Sequence, residues 1–249
     1  GGIGIMLAGA SLPLMIELWG TGSWRYGWYI IGAISTACLP LSLWAAARLS
    51  VPAQRNTAAG GIKLHLIWRE LAGYVGFAMG YIVYLTFLSA WMTDQQAPAL
   101  LISAVWIIMG LALIASPFVW RGVLARHASG KPLAMILTGI AVGSALPLVL
   151  PAGGAVVISA VVFGLCVFMA PGAITSFIRQ NLPAESWAAA MSLFTVVFAI
   201  AQTAGPFAAG ALGDLTGNIG SSLLAAAAIL LTGAAVVVFQ KPLTAQDSA

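Results

Sequence analysis

Charge is what this chain has least of. Only 6% of its 249 residues are Asp, Glu, Lys or Arg, where a soluble domain usually carries about 25%. With 61% hydrophobic residues beside that scarcity, an ordinary soluble fold is excluded. Cysteine is nearly absent as well. Cys38 and Cys166 stand far apart inside apolar stretches, which gives neither a disulfide framework nor a metal-ligand spacing. The chain also lacks a phosphate loop of the Walker form, so nothing points to direct ATP drive. Its acids and histidines nowhere gather at one interface as a membrane enzyme would require. No catalytic constellation, no metal site and no cofactor are therefore expected. The net charge of +4 comes without an aromatic-basic cluster outside the apolar stretches, so nucleic acid is not an expected partner.

What the chain does have is long apolar runs, eight of them: 1–20, 26–47, 71–92, 98–120, 132–150, 155–178, 187–212 and 219–239. Each is close to the roughly 20 residues that cross a hydrocarbon core as a helix. Backbone groups in lipid must be satisfied within the segment, which a helix does. The runs do not alternate apolar with polar residues, so a membrane barrel is excluded. The expected fold is all-α, polytopic and membrane-embedded. Arg48, Arg55, Lys63, Arg69, Arg121, Arg126, Lys131, Arg179 and Lys241 fall on one side of the runs, and Arg25 alone on the other. Such a bias places the cationic side, and both ends of the chain, in the cytoplasm. Eight of the nine tryptophans stand near a run boundary, where amphipathic rings prefer to sit. Trp106 is the exception, about 12 Å into its run at 1.5 Å per residue.

The chain opens on Gly-Gly inside an apolar run, with no initiator Met and no secretory leader, as expected of a fragment lacking upstream helices. Most connectors are short. Residues 48–70 are the exception, with four cations, Pro52 and a Thr-Ala-Ala-Gly-Gly stretch before an amphipathic piece from Ile62 to Trp68. They read as a cytoplasmic linker ending in a short interfacial helix. A shift of 193 residues lays Pro13 on Pro206, Gly20 on Gly213 and Gly27 on Gly220. It also lays the first two runs on the last two, as in transporters built from parallel halves of six helices. The expected organisation is thus 1–47 as the last two helices of a first bundle, 48–70 as linker, 71–240 as a second bundle and 241–249 as a cytoplasmic tail.

Several motifs carry a family resemblance. The third run has Gly80-Tyr81-Ile82 and Thr86-Phe87-Leu88. The fourth has Trp106, Gly110, Ser116-Pro117 and Trp120. The seventh has Phe194-Thr195, Gln202, Gly205-Pro206, Gly213-Asp214 and Thr216-Gly217. With the topology and linker, these residues resemble the major facilitator superfamily, and more narrowly its YbfB/YjiJ-type branch found in bacteria. The stretch Gly122 to Lys131 resembles the second copy of the superfamily's cytoplasmic loop motif. Here Arg126 and His127 stand where an acid and an arginine are usual, with altered spacing before Gly130. The resemblance implies that the eight runs are helices five to twelve of twelve. It also implies a secondary active transporter of the bacterial cytoplasmic membrane, monomeric when full length. Such a protein would move a small organic solute by alternating access, driven by an ion gradient, possible protons included. The rival expectation is a non-transporting scaffold, sensor or inactive remnant.

Transport needs polar groups at mid-depth and helices able to bend around them. Tyr74, Phe77, Tyr81 and Tyr84 share one helical face. Tyr81 and Tyr84 are candidates for an aromatic wall against substrate, or else interhelical packing residues. Gln202, with Thr195 on the same face, offers a donor and an acceptor deep in run 7, or else a bridge between helices. Trp106 can stack on substrate or pack. Glu17, the only formally charged residue inside a run as bounded above, is a candidate for proton coupling. Its place beside Trp19 fits a solvated rim carboxylate equally well. Gly122, Arg126, Gly130 and Lys131 are gating candidates, and Pro13, Pro117, Pro171 and Pro206 hinge candidates. Asp214 is a candidate to order the turn at residues 213–218.

Overall fold

The structure is a computed structural model and describes residues 1–49, 63–150 and 154–243. Every apolar run becomes helix: α1 (Gly2–Trp19), α2 (Trp24–Arg48), α3 (Leu64–Asp94), α4 (Ala99–Arg126), α5 (Lys131–Val149), α6 (Ala155–Val167), α7 (Met169–Asn181), α8 (Trp187–Thr216) and α9 (Ile219–Val237). Short 3-10 turns at Thr21–Ser23 and Ala184–Ser186 lead into α2 and α8. With α6 and α7 taken as one span, the described residues contain eight helices long and apolar enough to cross a membrane. The fold is an all-α polytopic bundle whose outer surface is rich in exposed Leu, Ile, Phe and Trp, as suits lipid.

Helix α3 is the centre of the packing, against α9 on one side and α8 on another; α5 packs on α6 and α9, and α4 on α6. Small residues allow the closest of these contacts. Gly76 faces Gly233, and Gly80 faces Ala226 and Leu230, the close approach that small residues four apart permit between membrane helices. The core between these helices is filled by Phe77, Tyr84, Met109, Leu133, Ile136, Leu137, Ile140 and Phe163. Helix α1 lies along α4, and α2 meets the rest mainly through α1 and the turn between them.

Three element boundaries differ from the runs. Helix α3 starts at Leu64, so 64–70 are its first turns and not a separate interfacial helix; residues 50–62 of the expected linker lie outside the described residues. Helix α4 runs on to Arg126, which makes Gly122 and Arg126 helical and leaves only 127–130 as a connector. The run 155–178 is broken at Phe168. The cause is Pro171. It has no N–H to offer the Val167 carbonyl four residues back, so the first helix ends there, and the proline sits in the opening turn of the next, where its missing donor is harmless. Pro13, Pro117 and Pro206 do not end their helices: α1, α4 and α8 continue through them. The turn before α9 is ordered by Asn218, whose side chain accepts from Gly220 N at 2.8 Å, and by Gly217 in the left-handed region at φ 64°. Asp214 remains an exposed residue of α8.

Candidate functional site

The helical spacing of three and four residues along α3 places Tyr74, Phe77 and Tyr81 in a continuous stack, with ring centroids 5.5 Å and then 4.5 Å apart. Helix α8 closes the stack with Phe198, whose centroid lies 5.4 Å from Tyr74 and 6.0 Å from Tyr81. Phe194 meets Tyr74 edge-on at 5.7 Å. The Tyr81 hydroxyl donates to Gln202 Oε1 across the α3–α8 contact. Gln202 is half-buried, and its amide nitrogen has no partner among the described residues. One side of α3 and α8 therefore joins a π surface to a fixed amide with its N–H2 still free. That combination can hold a small organic molecule by ring contact and one or two hydrogen bonds.

The other candidates are placed apart from this wall. Tyr84 is 0% exposed and turned into the bundle, where its hydroxyl and Ser159 Oγ are 2.5 Å apart and its ring lies 4.3 Å from Phe163. Ser159 in turn donates to the Gly143 carbonyl at 2.5 Å, so this phenol ties α3, α6 and α5 together. Thr195 is exposed and returns its hydroxyl to Met191 O at 2.8 Å. Trp106 donates from Nε1 to Ser89 Oγ at 2.9 Å. It also lies against Gly9 of α1, where an added Cβ would come within 2.2 Å of the indole side chain. Trp106 is thus a joint between α1, α3 and α4. Glu17 is exposed in the last turn of α1.

Below the stack, the cationic end of the bundle is knitted by polar side chains. Gly130 donates to the Gln240 carbonyl at 3.0 Å, and Gln240 Nε2 donates to Leu66 O at 2.9 Å. Asn181 donates to Ala128 O at 2.7 Å and accepts from Leu243 N at 2.7 Å. Gly130 must be glycine: a Cβ there would meet the Val237 carbonyl at 2.1 Å. Arg126 and Lys131 are exposed at this end.

Sequence reasoning missed Glu70, which counted as linker because the third run was started at residue 71. It is 1% exposed in α3, and its Oε2 has no hydrogen-bond partner. Glu17 is therefore not the only acid within a spanning helix. Gln240, 4% exposed, leaves its Oε1 unpartnered as well. The signal was present: Glu70 precedes Tyr74 by four residues and Phe77 by seven, which puts it on the face of the aromatic stack. Among the described residues no group of three or more His, Cys, Asp or Glu is placed to hold a metal ion.

Comparison with known proteins adds a family. No curated protein matches the chain. Over residues 1–238 it matches the family described as the uncharacterised MFS-type transporter YbfB. The match spans nearly all of the chain, from α1 through α9. The chain belongs to this YbfB-type branch of the MFS transporters.

Proposed function

We propose that this protein is a secondary active transporter that carries a small organic solute across the bacterial cytoplasmic membrane by alternating access. On this reading residues 1–47 close a first six-helix half and 71–240 form the second, and the halves rock about a site between them. The observation that carries the reading is the Gln202 amide, held by Tyr81 beside the ring stack with its N–H2 unpartnered. A polar group so placed at mid-membrane is costly unless something uses it. Gradient drive by protons is supported by the buried, unpartnered Glu70 at the cationic end of the same face. A carboxyl in that setting is a place to bind and release a proton. Both ends of the described chain lie in the cytoplasm, following the cations, and the transporter works as a monomer.

The test is a thermal-shift screen of metabolites and drugs against the intact protein. A solute that raises the melting temperature of the wild type should lose roughly tenfold in apparent affinity in Gln202→Ala, the value of one well-made hydrogen bond to a neutral group. Tyr81→Phe should weaken it less, and Tyr84→Phe not at all. Equal affinity in wild type and Gln202→Ala would move the site elsewhere.

A further inference from the structure

A groove of about 860 Å³ runs down the outer face of the bundle between α5 and α9. Its floor is made of small side chains, Ala134 and Gly139 on α5 and Ala234 on α9, with Cys166 of α6 beneath. Gly139 is what opens it there, since a Cβ would come within 2.5 Å of Cys166 Sγ. Met135, Leu231 and Val238 form exposed walls. From Lys131 to Gly139 the groove is eight residues long, about 12 Å at 1.5 Å per residue. That is nearly one leaflet of a hydrocarbon core about 30 Å thick.

At its cationic end the groove meets a second cavity, of about 410 Å³, and the two share Lys131 and Val238. This cavity is mixed in character, with Ser129, Gln240 and two lysines, Lys131 and Lys241, beside Phe239 and Pro242. Among the described residues, no Asp or Glu lines either cavity. An apolar slot nearly one leaflet deep thus opens at the cytoplasmic surface onto two cations, with no acid among the described lining residues. Both lysines are exposed there, Lys131 at the start of α5 and Lys241 just beyond α9, and Ser129 and Gln240 line the same cavity.

We propose that this double cavity is a binding site for one anionic phospholipid of the inner leaflet. The headgroup phosphate lies between Lys131 and Lys241, and one acyl chain lies in the α5–α9 groove. Charge complementarity selects the headgroup and groove length selects the chain. Anionic lipids enrich the leaflet that the positive side of the protein faces, and a lysine at that surface contributes about a fivefold preference. Neither Tyr81 nor Gln202 lines this site, which does not depend on what the protein transports.

Native mass spectrometry of the full chain released from nanodiscs of phosphatidylcholine with a minority of phosphatidylglycerol tests this. Phosphatidylglycerol should be retained well beyond its share of the disc. Lys131→Gln with Lys241→Gln should lower that preference about 25-fold, being two lysines at about fivefold each. Lys131→Arg should keep it. Ala235→Trp, an exposed position that fills the groove, should remove retention while both lysines stay. Circular dichroism checks that each variant is folded; if the double variant is not, Lys131→Gln alone, with about a fivefold loss, replaces it. Retention of the two lipids in proportion to their share, or an unchanged preference in the lysine-to-glutamine variants, would overturn the proposal.

Discussion

A phenol in a hydrocarbon setting needs a hydrogen-bond partner, and Tyr81 and Tyr84, one helical turn apart on α3, find theirs on different helices, α8 and α6. Tyr81 uses the amide of Gln202, and Tyr84 the hydroxyl of Ser159. Both phenols and the glutamine stand out in the sequence as polar groups deep in apolar runs. Their pairing does not, because Tyr81 and Gln202 are 121 residues apart and no spacing rule links them. Ser159 is a small polar residue that apolar runs carry commonly, so Tyr84's partner gave no signal. The carboxylates show the same limit. Glu17 lies inside a run and is conspicuous, whereas Glu70 sits one residue before one and is buried only because α3 starts early. If protons drive transport, Glu70→Gln should abolish the pH dependence of solute movement in proteoliposomes, and Glu17→Gln should leave it. A wild-type pH profile in Glu70→Gln would remove that carboxyl from coupling.

Helices as elements were legible from run length and hydropathy, because lipid admits only helices and closed barrels and the runs lack a barrel's alternation. Their ends were not. A helix that runs on past its apolar stretch carries polar residues, as α4 does through Arg121 and Arg126, and hydropathy then stops short of its end. The break at Phe168 was half legible. Pro171 was visible among several prolines, but only there does the helix yield. Two glycines of the resembling stretch separate packing from mere presence. Gly130 abuts the Val237 carbonyl, whereas Gly122 has open space around it. Gly130→Ala should therefore destabilise the protein by about 1–3 kcal/mol through forced backbone movement. Gly122→Ala, in an exposed helical position, should be neutral or stabilising by up to about 1 kcal/mol. Thermal unfolding of the two variants beside wild type checks the pair; equal losses would contradict the packing described for the α5 start.

At the scale of the molecule, charge is scarce and unevenly placed. The cations of the described residues gather at the end where Gly130, Asn181 and Gln240 knit the helices together, and Arg25 stands at the other. The chain belongs to the YbfB-type MFS family over residues 1–238. The central claim is that the Gln202 region opens to each side of the membrane in turn. It is tested most directly by Gln202→Cys in the intact protein with Cys38→Ser and Cys166→Ser, treated with a membrane-impermeant maleimide in sealed vesicles of both orientations. Alternating access predicts labelling in right-side-out and in inside-out vesicles alike. Labelling from one side only, or from neither, would contradict it.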